Sequence, residues 1–324
     1  MDIIGKRHIF LGFSGLLITT SIIAMVVYGL RPGIDFVGGT LWQIGLTTSA
    51  EGGSASGGND QPFDATQGGR QTTGELRDFF VNQLGVRDAT IFPSENNRFL
   101  VRFGHIPEQD HARYASLLKE KFSGFEEIRF ETIGPTIGSE IKRKAYIAIV
   151  LVLLGISFYI AFAFRKVSQP IRSWKYGFVT LLTLFHDIII PTGLVAILGH
   201  YAGVEVDTNF VVALLVVMGF SVHDTIVVFD RIRENLLVHR DRSDLRFIIN
   251  LSINQTLARS INTSLTLIFV LLSLFFFGPV TLKYFVLTIM TGTIIGTYSS
   301  IFIASPALLF APLQERHGRP APPK

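Results

Sequence analysis

Long apolar runs separated by short polar loops dominate this chain and indicate its class. A helix needs about 20 apolar residues to cross the hydrocarbon core of a bilayer. The runs of that length are residues 9–29, 145–164, 176–199, 208–229, 258–278 and 284–310. Hydrophobic residues make up 48% of the chain and charged residues 17%, and the mean hydropathy is +0.42. The pattern therefore predicts a polytopic α-helical membrane protein with six transmembrane helices.

Basic residues lie on one side of the predicted spans. In the loops between the second and third spans and between the fourth and fifth they are Arg165, Lys166, Arg172, Lys175, Arg231, Arg233, Arg240, Arg242 and Arg246. The opposite loops are nearly bare, since residues 200–207 contain no lysine or arginine and residues 279–283 contain only Lys283. Basic loops stay in the cytoplasm, so both termini are predicted to be cytoplasmic. The same orientation accounts for the net charge of +4, and no nucleic-acid partner is expected.

The first span raises the question of a signal peptide, because Lys6 and Arg7 precede its apolar run. The run is too long for a signal-peptide core, and no small-residue cleavage site precedes Arg31 and Pro32. We interpret this segment as an uncleaved membrane anchor.

Between the first and second spans the pattern changes to short alternating and amphipathic units. Strands are indicated at residues 41–46, 90–92, 99–103 and 128–133, and helix faces by Leu76, Phe79, Phe80 and Leu84 and by Tyr114, Leu117, Leu118 and Phe122. The order β-α-β-β-α-β predicts a ferredoxin-like α+β domain outside the cytoplasm. Residues 51–70 are rich in Gly, Ser, Asn and Asp and predict a flexible loop inside it. The predicted divisions are residues 1–30 (N-terminus and first span), 31–140 (extracytoplasmic domain), 141–311 (bundle of spans two to six) and 312–324 (cytoplasmic tail).

Polar residues within the spans are candidates for function. The third, fourth and fifth spans carry helical stripes of them: Thr180, Thr183 and Asp187; Ser221, Asp224 and Thr225; and Gln255, Arg259, Asn262 and Thr266. An ionisable side chain at bilayer depth disfavours insertion by about 2.5 to 3.5 kcal/mol, so these charges indicate an ion pathway or a buried partner. Pro191 lies four residues after Asp187 and cannot donate to its carbonyl, which predicts a kink beside the carboxyl group.

Asp224 and Arg259 are predicted to lie at similar depth and to pair if the fourth and fifth spans are neighbours. With Asp187 they favour a titrating proton relay over static polar contacts, which are the usual role of a lone Ser or Thr in a membrane. His186 and His223 each precede an Asp, but neighbours on a helix point about 100° apart. A metal site from these four residues is therefore not predicted, and the chain has no cysteine. No cofactor is expected beyond the proton as coupling ion.

Two further features favour structural roles. Gly292, Gly296 and Ser300 in the sixth span follow small-xxx-small spacing, which predicts close packing on a neighbouring helix. The charged residues 230–234 mark the cytoplasmic end of the fourth span, where charge is solvated, and are not predicted to act chemically.

Several segments, in this order and on these spans, resemble the SecF branch of the bacterial SecD/SecF family. They are GIDFVGGT (33–40), GPTIG (134–138), HD (186–187), GFSVHDTIVVFDRIREN (219–235), TLARSINTS (256–264) and GTYSSIFIASP (296–306). The similarity covers roughly residues 31–310. It implies a half-transporter of the resistance-nodulation-division superfamily in the cell inner membrane, which pairs with SecD to form a pseudo-symmetric unit beside the SecYEG channel.

The resemblance further implies that proton-motive force drives a late, ATP-independent stage of protein export. Secreted polypeptides would be the substrates, YajC would be a further partner, and membrane lipid would surround the spans. The role would be that of an accessory subunit without enzyme activity. The relay acid and arginine of the family correspond to Asp224 and Arg259, and another essential Asp would come from SecD. Asp35, Gly38 and Gly39 match the family motif at the end of the first span. At position 223 the family usually has Asn, so His223 is a further candidate for the relay.

Three other functions remain open at this stage. An intramembrane aspartyl protease also uses two membrane carboxylates, but such enzymes resemble one another in a Gly-x-Gly-Asp motif that the run at 221–224 lacks. A non-conducting scaffold of the translocase would need the same helices without titration. A proton-driven lipid or drug exporter of the same superfamily is disfavoured, because one small exterior domain offers little room for a substrate pocket.

Overall fold

The computed structural model describes residues 2–46, 73–86, 88–94, 97–122, 124–165, 171–239 and 244–310. The chain divides into two compact units. The membrane unit comprises Met1–Arg31 and Ala145–Lys324, and the small module comprises Pro32–Lys144. The corresponding prediction for the exterior domain is 31–140. The glycine-rich loop predicted at 51–70 and the tail predicted at 312–324 lie outside the described residues.

The elements follow one another as α1 (Arg7–Tyr28), α2 (Ile34–Val37), β1 (Gly39–Leu46), α3 (residues 73–83), β2 (Thr90–Ser94), β3 (Arg98–Phe103), α4 (Glu108–Lys121), β4 (Phe125–Ile133), α5 (Pro135–Ala163), α6 (Ser173–Ala202), α7 (Thr208–Val238), α8 (Leu245–Phe277) and α9 (Lys283–Ser299). After α9 the chain stays helical to Phe310, through a π turn at Ser300–Ala304. In the described part of the chain, six helices are long and apolar enough to cross a membrane: α1, α5, α6, α7, α8 and α9 with its extension. The prediction of six spans is confirmed.

The ends of the long helices follow from local chemistry. The side chain of Asp207 caps α7 by accepting a hydrogen bond from the Phe210 N–H at 2.8 Å. Helix α6 ends at Gly203, whose φ of 68° lies in the left-handed region, where a residue without Cβ is not strained. These caps set the lengths of α6 and α7 and hence the depth of their polar residues.

Helices α7 and α9 approach closely because α9 presents glycines to α7. A Cβ added at Gly292 would lie 2.2 Å from a methyl carbon of Val217, and one added at Gly296 would lie 3.0 Å from Cβ of Ser221. The small-xxx-small spacing therefore does bring α9 against a neighbouring helix, which turns out to be α7. On the outer surface, large apolar side chains such as Phe158 of α5 and Phe269 of α8 are exposed, which suits contact with lipid.

The small module is built on a four-stranded sheet in the order β2-β3-β1-β4, and each neighbouring pair is antiparallel. With α3 between β1 and β2 and α4 between β3 and β4, this is the predicted ferredoxin-like arrangement. Trp42 of β1 is fully buried and meets the ring of Phe130 edge-on at 5.3 Å. The alternation of β1 thus places its apolar side chains in the core of the module.

The two glycines at the start of β1, Gly38 just before it and Gly39 its first residue, are required by space and by backbone conformation. Gly38 has φ 78° and Gly39 φ 132°, values that L side chains rarely adopt. A Cβ at Gly38 would lie 2.8 Å from the Pro135 backbone, and one at Gly39 2.9 Å from the Phe103 carbonyl oxygen. In this structure the motif serves the close backbone packing of the small module. Asp35 is half-buried in the first turn of α2.

The α7–α9 contact predicts the effect of adding a single methyl group. We expect Gly292→Ala to lower the stability of the purified chain by about 1–3 kcal/mol, because the buried, β-branched Val217 cannot move aside. The control is Gly219→Ala on α7, where an added Cβ meets nothing within 4 Å. Unfolding in mixed detergent micelles, followed by circular dichroism, measures both. Equal midpoints for the two variants would contradict the close α7–α9 packing.

Candidate proton site

A buried polar cluster lies where α6, α7 and α9 meet, and Asp187 is at its centre. Its side chain has no exposed surface. One carboxylate oxygen, Oδ2, accepts hydrogen bonds from the hydroxyls of Ser221 on α7 and Ser299 on α9, the latter at 2.8 Å. The other, Oδ1, lies 2.8 Å from Nδ1 of His186. Donors from three helices thus converge on one carboxyl group at membrane depth.

The sequence of α6 explains why Asp187 faces this junction. Thr180 and Thr183 lie on the same inward stripe and are buried, but their hydroxyls donate to carbonyls of their own helix, those of Tyr176 and Val179. Asp187 is therefore the residue of the stripe whose side chain bonds to other helices. Pro191 lies inside α6, and the kink beside Asp187 stays a prediction.

Asp224 occupies a second buried position, 5% exposed, on the face of α7 that meets α9. Its Oδ2 accepts a hydrogen bond from the hydroxyl of Ser300 at 2.7 Å. The buried hydroxyl of Ser260 on α8 also lies beside this carboxyl group, outside hydrogen-bonding geometry. Asp224 is thus held mainly by α9.

The two carboxyl groups belong to one assembly. On α7, Ser221 and Asp224 are three residues apart and share a face; on α9, Ser299 and Ser300 are adjacent. Ser221 and Ser299 therefore donate to Asp187, while Ser300 donates to Asp224. The carboxyls are also close enough for their charges to interact. Ser300 begins the π turn, a distortion common at functional sites.

His186 is buried together with Asp187, and its second ring nitrogen, Nε2, has no hydrogen-bond partner within the described chain. The expectation that adjacent side chains point apart does not hold for this pair, because the ring folds back toward the carboxyl group of its neighbour. Within the described residues, no group of three or more His, Cys, Asp or Glu side chains is placed to hold a metal ion.

The predicted contact between Asp224 and Arg259 is absent. No ion pair within 4.0 Å joins them in the described structure, and Arg259 is exposed. The reason is the rotation of α8: its buried polar residues Ser260 and Ser264 face the bundle. The predicted polar stripe of α8 lies on another face, and its members Gln255, Arg259, Asn262 and Thr266 are all exposed.

His223 is exposed on the surface of α7, while the next residue, Asp224, points into the bundle. The structure thus brings Asp187 and Asp224 into one cluster and leaves His223 and Arg259 at its periphery.

Ser299 and Ser300 are members of the cluster that sequence reasoning missed. Ser300 was interpreted as a packing residue, and it is indeed fully buried, but its hydroxyl also bonds to Asp224. Four consecutive hydroxyl-bearing residues, 297–300, in a predicted membrane span were the available signal. A helix cannot point two neighbouring residues in one direction, so the pair was suited to serve two acceptors.

The hydrogen bonds to Asp187 predict a cost for removing one donor. We expect Ser299→Ala to lower the stability of the chain by about 1–3 kcal/mol, because a buried acceptor loses a partner. The control is Ser157→Ala on α5, whose buried hydroxyl has no partner within the described chain, so little change is expected. Unfolding in mixed detergent micelles measures the stability of both variants. A loss in Ser157→Ala as large as that in Ser299→Ala would contradict the role of Ser299 as a donor.

Comparison with known proteins places this arrangement in a family. Residues 113–314 match the family model described as protein export membrane protein SecD/SecF, C-terminal. Residues 23–50, which include Asp35, Gly38 and Gly39, match the model for the SecD/SecF GG motif.

Similar full-length proteins bear the name protein translocase subunit SecF. The one from Thermobaculum terrenum is 44% identical over 307 residues, which cover 94% of this chain and 92% of that protein. The one from Synechocystis is 35% identical over 300 residues, covering 90% and 88%. In the crystal structure of SecDF from Thermus thermophilus, a translocon-associated membrane protein, a region 30% identical to this chain superposes with a TM-score of 0.77. That match covers 96% of this chain but only 38% of the SecDF chain. The chain belongs to the SecD/SecF family of protein export membrane proteins.

Proposed function

We propose that this chain is the SecF-type subunit of the Sec export machinery and that, with SecD, it uses proton-motive force to drive late, ATP-independent translocation of secreted polypeptides. The observation that carries the proposal is the buried pair Asp187 and Asp224, whose carboxyl groups accept hydrogen bonds from the consecutive serines Ser299 and Ser300. SecYEG and YajC are the further proposed partners, and the proposed location is the cell inner membrane with both termini in the cytoplasm.

The hydrogen bonds of the cluster are compatible with reversible protonation of its carboxyl groups. A serine hydroxyl donates to an ionised carboxylate and accepts from a protonated one by rotating about its C–O bond. The bonds from Ser221, Ser299 and Ser300 can therefore adjust to either protonation state of the two carboxyl groups. A fixed cation in their place would hold both carboxylates permanently charged, which would suit a static contact.

The exposed polar face of α8 supports a partner at this side of the bundle. Arg259, Asn262 and Thr266 lie on the outside of a helix that is apolar enough to span the membrane. Facing lipid, polar side chains on this face would be disfavoured, although Arg259 also borders the cavity between α7 and α8. We propose that SecD covers this face and contributes a carboxylate to Arg259, so that the relay is complete only in the complex.

The driving force is sufficient for a change of conformation. Each proton moving down the membrane potential supplies about 2.3 kcal/mol per 100 mV. A difference of a few kcal/mol resets a two-state equilibrium. Protonation of Asp224 would change its bond with Ser300 at the start of the π turn, and so bias the packing of α7 against α9.

An enzymatic role is not proposed. An aspartyl protease requires that a peptide substrate reach its two carboxyl groups. Asp187 and Asp224 have 0% and 5% of their surface exposed, so a peptide would have no access to them. A scaffold without proton transfer would make the same helix contacts, and it differs from our proposal in its response to removal of the titrating group.

Removing the titrating group is the first test. In membrane vesicles energised by a proton gradient, we expect Asp224→Asn and Arg259→Met to abolish proton-dependent export while co-purification with SecD persists. Both substitutions preserve approximate size and remove the charge, and Arg259→Met also removes the guanidinium donors. The control is Glu140→Gln on α5, an exposed acid paired with Lys144 at 2.8 Å, which should export normally because exposed ion pairs contribute little. Export by Asp224→Asn at the wild-type rate would rule out the relay.

His223 is the second residue to be tested. Since its side chain lies outside the hydrogen-bonded cluster, we propose that it acts on Asp224 only through its charge. We expect His223→Asn to keep proton-dependent export, because the exposed side chain makes no hydrogen bond to the cluster. Loss of export at every pH would instead make His223 an obligatory carrier of the proton.

A further inference from the structure

A cavity of about 290 Å³ lies between α7 and α8, beyond the cluster toward the basic loops. Its lining consists of Val227, Asp230, Arg231 and Glu234 from α7 and Gln255, Thr256 and Arg259 from α8. The α7 members follow one another at helical spacing and form one face. Since a water molecule occupies about 30 Å³ of liquid volume, the cavity has room for several.

The two ends of this cavity differ in character. At one end the carboxylates of Asp230 and Glu234 are 64% and 59% exposed. Arg231 forms part of the wall there and is held by Glu234 at 2.6 Å and by Gln255 at 2.7 Å. At the other end, Val227 is only partly exposed and Thr256 is buried, its hydroxyl donating to carbonyls of α8, while the Arg259 side chain is exposed. The cavity thus extends from solvated charges at Asp230 and Glu234 to the less exposed Val227 and Thr256.

The end of the cavity at Val227 and Thr256 is the end nearer to the proton site along both helices. Asp224 precedes Val227 by three residues on the same face of α7, a rise of about 4.5 Å along the axis. On α8, Ser260 follows Thr256 by one turn and lies beside the Asp224 carboxyl group. Both walls of the cavity therefore continue directly to Asp224, and the side chain of Val227 lies between.

We propose that this cavity is the aqueous vestibule through which Asp224 exchanges protons with the side of the membrane that carries the basic loops. In this arrangement Val227 is the apolar barrier at its inner end. Water and hydronium are the ligands, and the exposed carboxylates of Asp230 and Glu234, paired with Arg233 and Arg231, form the solvated mouth. The inference rests on the proposed function of Asp224 and assigns its route of access, together with a role for residue 227.

Thiol labelling tests whether Val227 faces water. The chain contains no cysteine, so Val227→Cys introduces a single thiol into it. A membrane-impermeant, cationic methanethiosulfonate is added to inverted vesicles that contain the complex with SecD, because the cytoplasmic face is then outside. One control is Val216→Cys, also on α7 and exposed in the fold but expected to face lipid. The other is Val228→Cys, which is fully buried.

We expect Val227→Cys to react at least about tenfold faster than either control, because the thiolate that reacts forms only in water. Gln255→Cys, on the opposite wall of the cavity, should behave in the same way and provides a second variant if Val227→Cys does not assemble. Labelling of both cavity positions at the rate of Val216→Cys overturns the proposal.

A second measurement tests whether the vestibule is the route of the proton. Val227→Phe fills the inner end, so we expect it to lose most proton-driven export, whereas Val216→Phe, with the same added volume facing lipid, should export normally. Wild-type export by Val227→Phe overturns the vestibule. The outcome is distinct from that of Asp224→Asn. Loss of export in Asp224→Asn together with normal export in Val227→Phe would support the relay and contradict the vestibule.

Discussion

The burial of the Asp187 carboxyl group is the constraint on which the membrane unit depends. A carboxyl group without exposed surface must find its hydrogen-bond partners among neighbouring helices, because neither water nor lipid supplies them. Its partners come from His186 beside it, from Ser221 on α7 and from Ser299 on α9. These bonds require the three helices to meet closely, and the glycines of α9 make that approach possible. The contacts that pack the three helices together are therefore also those that satisfy the Asp187 carboxyl group.

The same contacts join the two acids. Because Ser299 and Ser300 are consecutive, they bond to Asp187 and Asp224 on different helices. A change in charge at one carboxyl group alters a bond at the end of α9, where the backbone already departs from α-helical geometry. Under the proposed function, this is a local route by which proton binding would act on helix packing. The exposed polar face of α8 indicates in turn that the membrane unit functions with a partner.

Much of the fold was predictable because it follows from patterns of apolar and polar residues along the sequence. The apolar runs indicated all six spans, and the alternation of strands and helices indicated the ferredoxin-like module, whose sheet order agrees. The contact between Asp224 and Arg259 was predicted wrongly, because similar depth does not determine how a helix is rotated about its axis. Ser299 and Ser300 were missed since a small residue at a helix contact looks the same whether it serves packing or hydrogen bonding. Tertiary contacts decided both cases.

Proton flux through liposomes that contain this chain together with SecD tests the central claim most directly, namely that the cluster takes up and releases a proton. A pH-sensitive dye inside the liposomes reports the flux after a pH gradient is imposed, and Asp187→Asn is compared with the wild type. The account predicts that the wild-type complex dissipates the gradient and that Asp187→Asn, matched in assembly with SecD, does so no faster than protein-free liposomes. Equal flux through both complexes would contradict it.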